Sequence, residues 1–319
     1  MTRGGERHMP AITLKELAKR EDRITPGHRL CPGCGAALLI RQALLAIDEP
    51  VVMAVATGCL EVSTTIFPYT AWRIPWIHCA FENAASTISG AEAAYKALQR
   101  RGKKLPRIVF IGVGGDGGTY DIGLQALSGA MERGHRMIYI CYNNEAYCNT
   151  GYQRSSATPI GAHTTTSPAG RAIPGKPQHR KNLTFIMAAH EIPYVAQTTV
   201  WRWRDVVEKF RKAAQVDGPA FINVLCPCPS GWGFDPSETL EMSRLAVETC
   251  IWPLFEVEGG TKWTLNYKPK EKLPVEEWLK RQRRFAHLFK DEKGREMVKA
   301  FQEHVDREWE YLLRLCGEA

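Results

Sequence analysis

Hydrophobic and polar positions along the chain follow the pattern of a strand–helix repeat. Short apolar runs rich in β-branched residues predict buried strands at 51–58, 107–115, 137–144, 192–197 and 220–228. Segments with helical periodicity flank these runs, at 12–22, 36–47, 83–101, 120–134, 183–190 and 203–216. Such alternation predicts an α/β fold in which helices cover both faces of a mostly parallel sheet.

Two segments depart from this repeat. Residues 149–182 are rich in Thr, Ser, Pro and Gly, and a loop of this length in a compact domain usually has a function. Residues 250–319 are more charged and have Trp and Arg along helical patterns. We therefore predict an α/β domain at 1–249 that binds cofactors and a helical C-terminal extension at 250–319 that contacts partner subunits.

Composition narrows the class of protein. Apolar residues make up 44% of the 319 residues, which predicts a sizeable core, and no apolar run reaches the length of a membrane helix. The N-terminus is charged, so we expect a cytoplasmic protein, and Met9 is a second candidate start. The net charge of +8 fits a solvated basic surface or the steering of anionic cofactors or an acidic electron carrier. Its scattered basic residues do not favour nucleic-acid binding.

The glycine-rich segment 111–123, IGVGGDGGTYDIG, carries the most chemistry. It follows a predicted strand, and ligand crevices lie at the carboxyl ends of parallel strands. Glycines let the backbone approach a phosphate, and the start of the next helix favours an anion. Asp116 lies at the tip of this turn. A carboxylate beside a diphosphate needs a bridging cation, and Mg²⁺ with oxygen ligands fits.

The same segment also contains the dinucleotide fingerprint G-x-G-x-x-G at Gly112, Gly114 and Gly117. That interpretation requires an acidic residue at the end of the next strand, whereas this strand ends in Asn143 and Asn144. An Asp in a Gly-Asp-Gly turn, followed by Asn after one helix and one strand, favours thiamine diphosphate with Mg²⁺. A dinucleotide-dependent dehydrogenase and a purely structural glycine turn are the alternatives.

The ten cysteines are the second sequence feature with candidate chemistry. The pair Cys31 and Cys34 is a C-x-x-C in a Gly/Pro loop, which alone fits zinc, a redox dithiol or an iron–sulfur pair. A [4Fe–4S] cluster needs four thiolates. Cys59 follows one predicted strand and Cys228 ends another, both at the sheet edge that carries Asp116. The residues alone do not separate Cys228 from Cys226. A zinc-binding assembly subunit without catalysis is a further alternative.

Several long motifs in order resemble the β subunits of the pyruvate:ferredoxin oxidoreductase family. The resemblance covers nearly the whole chain and rests on HRLCPGCGA, ATGCLEVSTTIFPYTAW, FENAAS, GGDGGTYDIGLQALSGAMERGH, YNNEAYCNTGYQRSSATP and HTTTSPAG. It implies oxidative decarboxylation of a 2-oxoacid, most simply pyruvate, with thiamine diphosphate, Mg²⁺ and one [4Fe–4S] cluster. Electrons pass through the cluster to ferredoxin, and the acyl group passes to coenzyme A.

The resemblance also implies roles for individual residues. The diphosphate turn falls on Gly115, Asp116, Gly117 and Gly118. The Mg²⁺ ligands fall on Asp116, Asn144 and the backbone carbonyl of Ala146. Asn149 falls near the thiazolium and the substrate and is the candidate catalytic residue. The cluster ligands fall on Cys31, Cys34, Cys59 and Cys228, with Cys59 close to the cofactor as well.

Two residues depart from the family pattern. Cys148 replaces an apolar residue, since relatives have DNEGYMNT where this chain has NNEAYCNT. Cys226 adds a thiol beside Cys228, which makes the fourth ligand the weakest assignment.

The resemblance further implies that the chain acts only in a complex. An α subunit would complete the active site, a ferredoxin-like δ subunit would carry further clusters, a γ subunit is common, and external ferredoxin would take the electrons. Oxalate and branched-chain 2-oxoacids are alternative substrates within the family.

Overall fold

The computed structural model describes residues 12–170 and 172–318, so the candidate start at Met9 lies outside the described residues. Eight strands form one sheet: β1 (Val51–Ala56), β2 (Trp76–Cys79), β3 (Val109–Gly115), β4 (Ile138–Asn143), β5 (Tyr194–Thr199), β6 (Ala220–Leu225), β7 (Phe255–Glu258) and β8 (Lys262–Leu265). Their spatial order is β2-β1-β3-β4-β6-β5-β7-β8. The strands β1 to β6 pair in parallel, and β7 and β8 run antiparallel at one edge.

Helices lie along the whole chain. They are α1 (Leu14–Leu17), α2 (Gly35–Ala46), α3 (Cys59–Thr64), α4 (Ala84–Arg100), α5 (Leu124–Glu132), α6 (Leu183–Ala188), α7 (Trp203–Gln215), α8 (Pro229–Trp232), α9 (Thr239–Glu248), α10 (Glu276–Leu279) and α11 (Glu292–Cys316). Among the described residues no helix is both long and apolar enough to cross a membrane.

Helices cover both faces of the sheet, as the strand–helix repeat predicts. Successive side chains of a strand point to opposite faces, so Met53 and Val55 of β1 pack with α2 and α7, whereas Ala54 and Ala56 pack with α4, α5 and α6. Because both faces are covered, the central strands are buried along almost their whole length, which accounts for the mostly apolar runs from which they were predicted.

Some elements differ from the sequence-based prediction. The predicted helix at 12–22 contracts to α1, and the predicted helix at 120–134 begins as a π-helical turn, Gly117–Ile122, before α5. The elements α3 and β2 were not predicted; β2 is half exposed, so it lacks the apolar run that marks the other parallel strands. The described residues between Asn143 and Leu183 contain no helix or strand, so the predicted long loop is confirmed.

The C-terminal segment is part sheet and part helix. It begins with β7 and β8, which extend the sheet, and then becomes helical through α10, a 3₁₀ segment Arg283–Phe289 and α11. The helical part shares a third core with Trp232 and α9, in which Trp278, Phe285 and Phe301 are buried. The division of the chain at residues 249 and 250 stays a prediction.

Candidate cofactor site

The carboxyl ends of β1 to β4 meet around one open cavity of about 460 Å³. The sequence-predicted residues Cys59, Gly115, Asp116, Gly117, Asn144, Ala146 and Asn149 all line it. They converge because the four strands are parallel neighbours in the sheet, so their ends lie at one edge. Asn149 and Thr150 are exposed at the mouth, whereas Asp116 is fully buried at the base.

The turn after β3 needs glycine for steric reasons. A Cβ on Gly117 would lie 2.5 Å from the Tyr147 ring, and a Cβ on Gly118 would lie 2.8 Å from the backbone oxygen of Phe81. Real side chains do not tolerate such contacts, so neither position accepts alanine without a shift of its neighbours. Glycine thus lets Tyr147 and Phe81 pack directly on the turn. Gly115 and Gly117 line the cavity beside Asp116, whereas Gly118 is not among its lining residues.

Asp116 is a buried carboxyl group with few donors. The Ser155 hydroxyl donates to Oδ2 at 2.5 Å, and the Asn144 backbone N–H donates to Oδ1 at 3.2 Å. Burial nevertheless raises the pKa of Asp116 to about 8, and the nearby charge of Glu145 adds to the increase. A cation in the cavity would therefore stabilise the ionised form.

The Asn144 side-chain amide meets two oxygens at the base of the cavity. One end of this amide lies 2.9 Å from Oδ1 of Asp116 and 2.8 Å from the carbonyl oxygen of Ala146. This arrangement of acceptors can be satisfied in two ways: the amide of Asn144 turns and donates to both oxygens, or a cation lies among all three. The residues predicted as Mg²⁺ ligands are thus brought together.

A buried ion network centred on Glu145 contacts the Asn144–Ala146 turn. Glu145 has a positive φ of 64° and is fully buried, and its backbone oxygen accepts from Thr158 at 2.6 Å. Nη2 of Arg284 donates to its carboxylate at 2.5 Å and Nη1 of Arg180 at 3.2 Å. The Arg284 guanidinium also lies 4.1 Å from the centre of the Trp232 ring, whose N–H donates to the Asn144 backbone oxygen at 2.8 Å.

The predicted cluster cysteines converge next to the cavity. Cys34 precedes α2, Cys59 begins α3, and Cys228 precedes α8. The pKa of Cys59 is raised to about 12, first by burial and then by the charges of Cys228, Cys34 and Cys31. Burial likewise raises the pKa of Cys34 to about 11, with contributions from Cys228 and Cys31.

Cys226 lies in a different environment. It is fully buried in the core between α2 and the sheet, and among the cysteines its thiol interacts electrostatically with Cys34 and Cys141. A Cβ on Gly35 would lie 2.8 Å from the Cys226 backbone, so the start of α2 packs directly on this residue. No three His, Cys, Asp or Glu side chains of the described residues are close enough to hold a single metal ion.

Cys228 has an unusual set of partners for a thiol. The pKa of Cys228 is lowered to about 7, first by a hydrogen bond with the Cys148 thiol and then by the Gly231 backbone N–H, which donates to Sγ at 3.3 Å. The positive charge of Arg284 contributes in the same direction.

Comparison with known proteins settles the family. The model of the thiamine pyrophosphate enzyme C-terminal TPP binding domain matches residues 56–224. The pyruvate synthase subunit PorB of Thermotoga maritima is 51% identical over 95% of this chain and 96% of the relative. The chain belongs to this family of oxidoreductase subunits. The PorB subunit of Methanocaldococcus jannaschii is 52% identical over 92% of the chain and 97% of the relative.

Two further relatives broaden the picture. The ketoisovalerate oxidoreductase subunit VorB of Pyrococcus abyssi is 43% identical over 93% of this chain and 94% of the relative. The solved 2-oxoglutarate:ferredoxin oxidoreductase of Magnetococcus marinus, with 2-oxoglutarate, coenzyme A and succinyl-CoA bound, matches with a TM-score of 0.52. At 20% identity, over 71% of this chain and 81% of that one, the match concerns the fold alone.

Sequence reasoning about this PorB-like chain missed several residues of the site. Phe81 and Glu82 line the cavity but follow β2, which was not predicted. Ser155 lies within a quoted motif, yet nothing in the spacing indicates its bond to Asp116. Arg284 lies 139 residues from Glu145, so only the tertiary structure brings the pair together.

Proposed function

We propose that this chain is the β subunit of a pyruvate:ferredoxin oxidoreductase, the subunit that binds thiamine diphosphate and one [4Fe–4S] cluster. The observation that carries the proposal is the convergence of the Asp116 carboxylate, the Asn144 side-chain amide and the Ala146 carbonyl oxygen beside a glycine turn. The thiamine family match and the pyruvate synthase relatives support the same assignment.

The donor set of a carboxylate, an amide and a backbone carbonyl fits Mg²⁺, which prefers oxygen ligands. Asp116, Asn144 and the Ala146 carbonyl would hold the metal, whose charge would offset that of the diphosphate, and the Gly115–Gly118 backbone would lie against the diphosphate.

Thiamine diphosphate supplies an electron sink for the decarboxylation of a 2-oxoacid. The chain's own residues do the rest. Tyr142 and Tyr147 line the cavity and would reduce the access of water to the cofactor. Asn149, exposed at the cavity mouth, is positioned to donate a hydrogen bond to the substrate.

Cys31, Cys34, Cys59 and Cys228 would hold the cluster. A four-iron cluster binds each ligand sulfur to a different iron, so its ligands lie further apart than those of a single ion. Cys34, Cys59 and Cys228 stand at the starts of three helices, α2, α3 and α8. Cys59 also lines the cofactor cavity, so electrons would have a short path from cofactor to cluster.

The proposal includes partners and a compartment. An α subunit would cover the open cavity and complete the active site, and a ferredoxin-like δ subunit, with a γ subunit in many complexes, would carry electrons to external ferredoxin. Coenzyme A would accept the acyl group. All ten cysteines are free thiols, which a reducing cytoplasm preserves.

A branched-chain 2-oxoacid is the second candidate substrate. The 43% identity to the VorB subunit favours it over oxalate, whereas higher identity to the PorB subunits favours pyruvate.

The cofactor assignment is tested by Asp116→Ala. We expect this variant to lose thiamine diphosphate and Mg²⁺ together, because the excess charge of the diphosphate is offset only if Asp116 holds the metal. Cofactor and metal content after desalting measures both. Asp235→Ala, at an exposed turn, is the matched control and should keep both. Full retention of both by Asp116→Ala would show that the assignment is wrong.

A further inference from the structure

Glu145 lies between two proposed metal ligands, the Asn144 side chain and the Ala146 carbonyl. Its φ of 64° is in the left-handed region, which a glutamate rarely adopts. Because the dihedral angles of Glu145 set the direction of the Ala146 carbonyl relative to Asn144, this conformation decides whether both groups face the same metal. Strained backbone of this kind persists only where the surrounding structure holds it.

Hydrogen bonds hold the backbone of this turn. The Glu145 N–H donates to Oδ1 of Asn143 at 3.0 Å, and the Thr158 hydroxyl donates to the Glu145 carbonyl oxygen at 2.6 Å. The indole N–H of Trp232 donates to the Asn144 carbonyl oxygen at 2.8 Å. The buried carboxylate of Glu145 is then the remaining group of the turn that needs a partner.

The main partner of this carboxylate comes from the C-terminal segment. Arg284 is buried, and its Nη2 donates to the Glu145 carboxylate at 2.5 Å. Its guanidinium also lies 4.1 Å from the centre of the Trp232 ring, and its Nε donates to Gln282 at 2.8 Å. Arg284 therefore reaches the turn twice, through Glu145 and through Trp232. It lies beyond residues 56–224, which the thiamine family model matches.

We propose that Arg284 is a positioning residue of the metal site, because its contacts with Glu145 and Trp232 hold the turn that carries two of the metal ligands. The C-terminal segment thereby completes the cofactor site of its own chain. The inference rests on the proposed function. Residues that orient metal ligands without touching the metal typically contribute about 10–100-fold to metal affinity.

The test measures Mn²⁺ binding by the complex that is assembled with its partner subunits and freed of thiamine diphosphate and metal by dialysis. Mn²⁺ prefers the same oxygen ligands as Mg²⁺. The sharp EPR signal of free Mn²⁺ is lost on binding, so a titration with and without thiamine diphosphate gives the affinity that depends on the cofactor. The spectrum of bound Mn²⁺ reports the symmetry of its ligands.

Arg284→Met keeps an apolar side chain and removes the guanidinium. It should bind Mn²⁺ about 10–100-fold more weakly, and the spectrum of the bound ion should broaden because the ligands are less regularly placed. Phe301→Ala is the matched control, because its buried ring packs against Phe285 in the same core and its loss leaves a cavity with the ion pair intact. This control should keep the Mn²⁺ affinity and the spectrum.

A double variant separates positioning from buried charge. Arg284→Met alone leaves the Glu145 carboxylate without its main partner, whereas Glu145→Gln combined with Arg284→Met removes both charges and should fold. If Arg284 positions the turn, the double variant should bind Mn²⁺ as weakly as Arg284→Met does.

Unchanged Mn²⁺ affinity in Arg284→Met would overturn the inference. So would an equal loss in Phe301→Ala, or full recovery in the double variant. An unmodified complex without any Mn²⁺ binding that depends on thiamine diphosphate would instead overturn the proposed function, and the inference with it.

Discussion

At the scale of single residues, the proposed site contains both buried and exposed polar groups. Asp116 and Asn144 are buried at the base of the cavity and contact each other, which suits groups that hold a metal. Asn149 is exposed at the mouth and contacts neither of them, which suits a group that meets substrate. The two asparagines therefore predict different losses when each is replaced.

Asn149→Ala should keep thiamine diphosphate and the cluster and yet lose turnover by about 10²–10³, the usual cost of removing one transition-state donor. Cofactor content and turnover of the assembled complex measure the two effects separately. Near-normal turnover would exclude a catalytic role. Loss of the cofactor would make Asn149 a binding or structural residue.

The choice of the fourth cluster ligand is a second residue-scale prediction. Cys228→Ser should lose iron and the reduced-state EPR signal, whereas Cys226→Ser should keep both, because the Cys226 thiol is buried in the core between α2 and the sheet. Iron analysis and EPR of both variants measure this difference. Equal loss in both, or loss in Cys226→Ser alone, would reverse the assignment.

At the scale of elements, the sequence predicts what depends on local pattern. The central strands were found because burial on both faces leaves a continuous apolar run, and the Asp116 turn was found because its glycines stand at a strand end. The strand β2 and the helix α3 were missed, since β2 is half exposed and α3 spans only six residues. The ion network around Glu145 could not be predicted from the sequence, because its partners lie in segments that are distant from Glu145 along the chain.

That network predicts a large effect on stability. Arg284→Ala should destabilise the chain by about 3 kcal/mol, because it leaves part of the buried Glu145 charge uncompensated. Arg281→Ala is the matched control, because Arg281 pairs with Glu238 at the surface, where the two side chains are 43% and 38% accessible. Loss of this exposed pair should lower the free energy of unfolding by less than about 1 kcal/mol. Thermal melting compares the two. Equal melting temperatures would show that the network adds no net stability.

At the scale of the whole molecule, the open cavity and the adjacent thiols form one edge of a single sheet. Cys59 belongs to both, because it begins α3 directly after β1 and lines the cavity. In the proposed function, this shared residue would couple decarboxylation to electron transfer. The cavity mouth is open, so the proposed reaction depends on a partner subunit that covers it.

The most direct test of the account is the reduction of methyl viologen by the assembled complex, with a panel of 2-oxoacids and with or without coenzyme A. We predict that pyruvate with coenzyme A supports the fastest reduction, that branched-chain 2-oxoacids and oxalate support less, and that Asp116→Ala abolishes it. A complex that contains thiamine diphosphate and the cluster but reduces viologen with none of the 2-oxoacids would contradict the account.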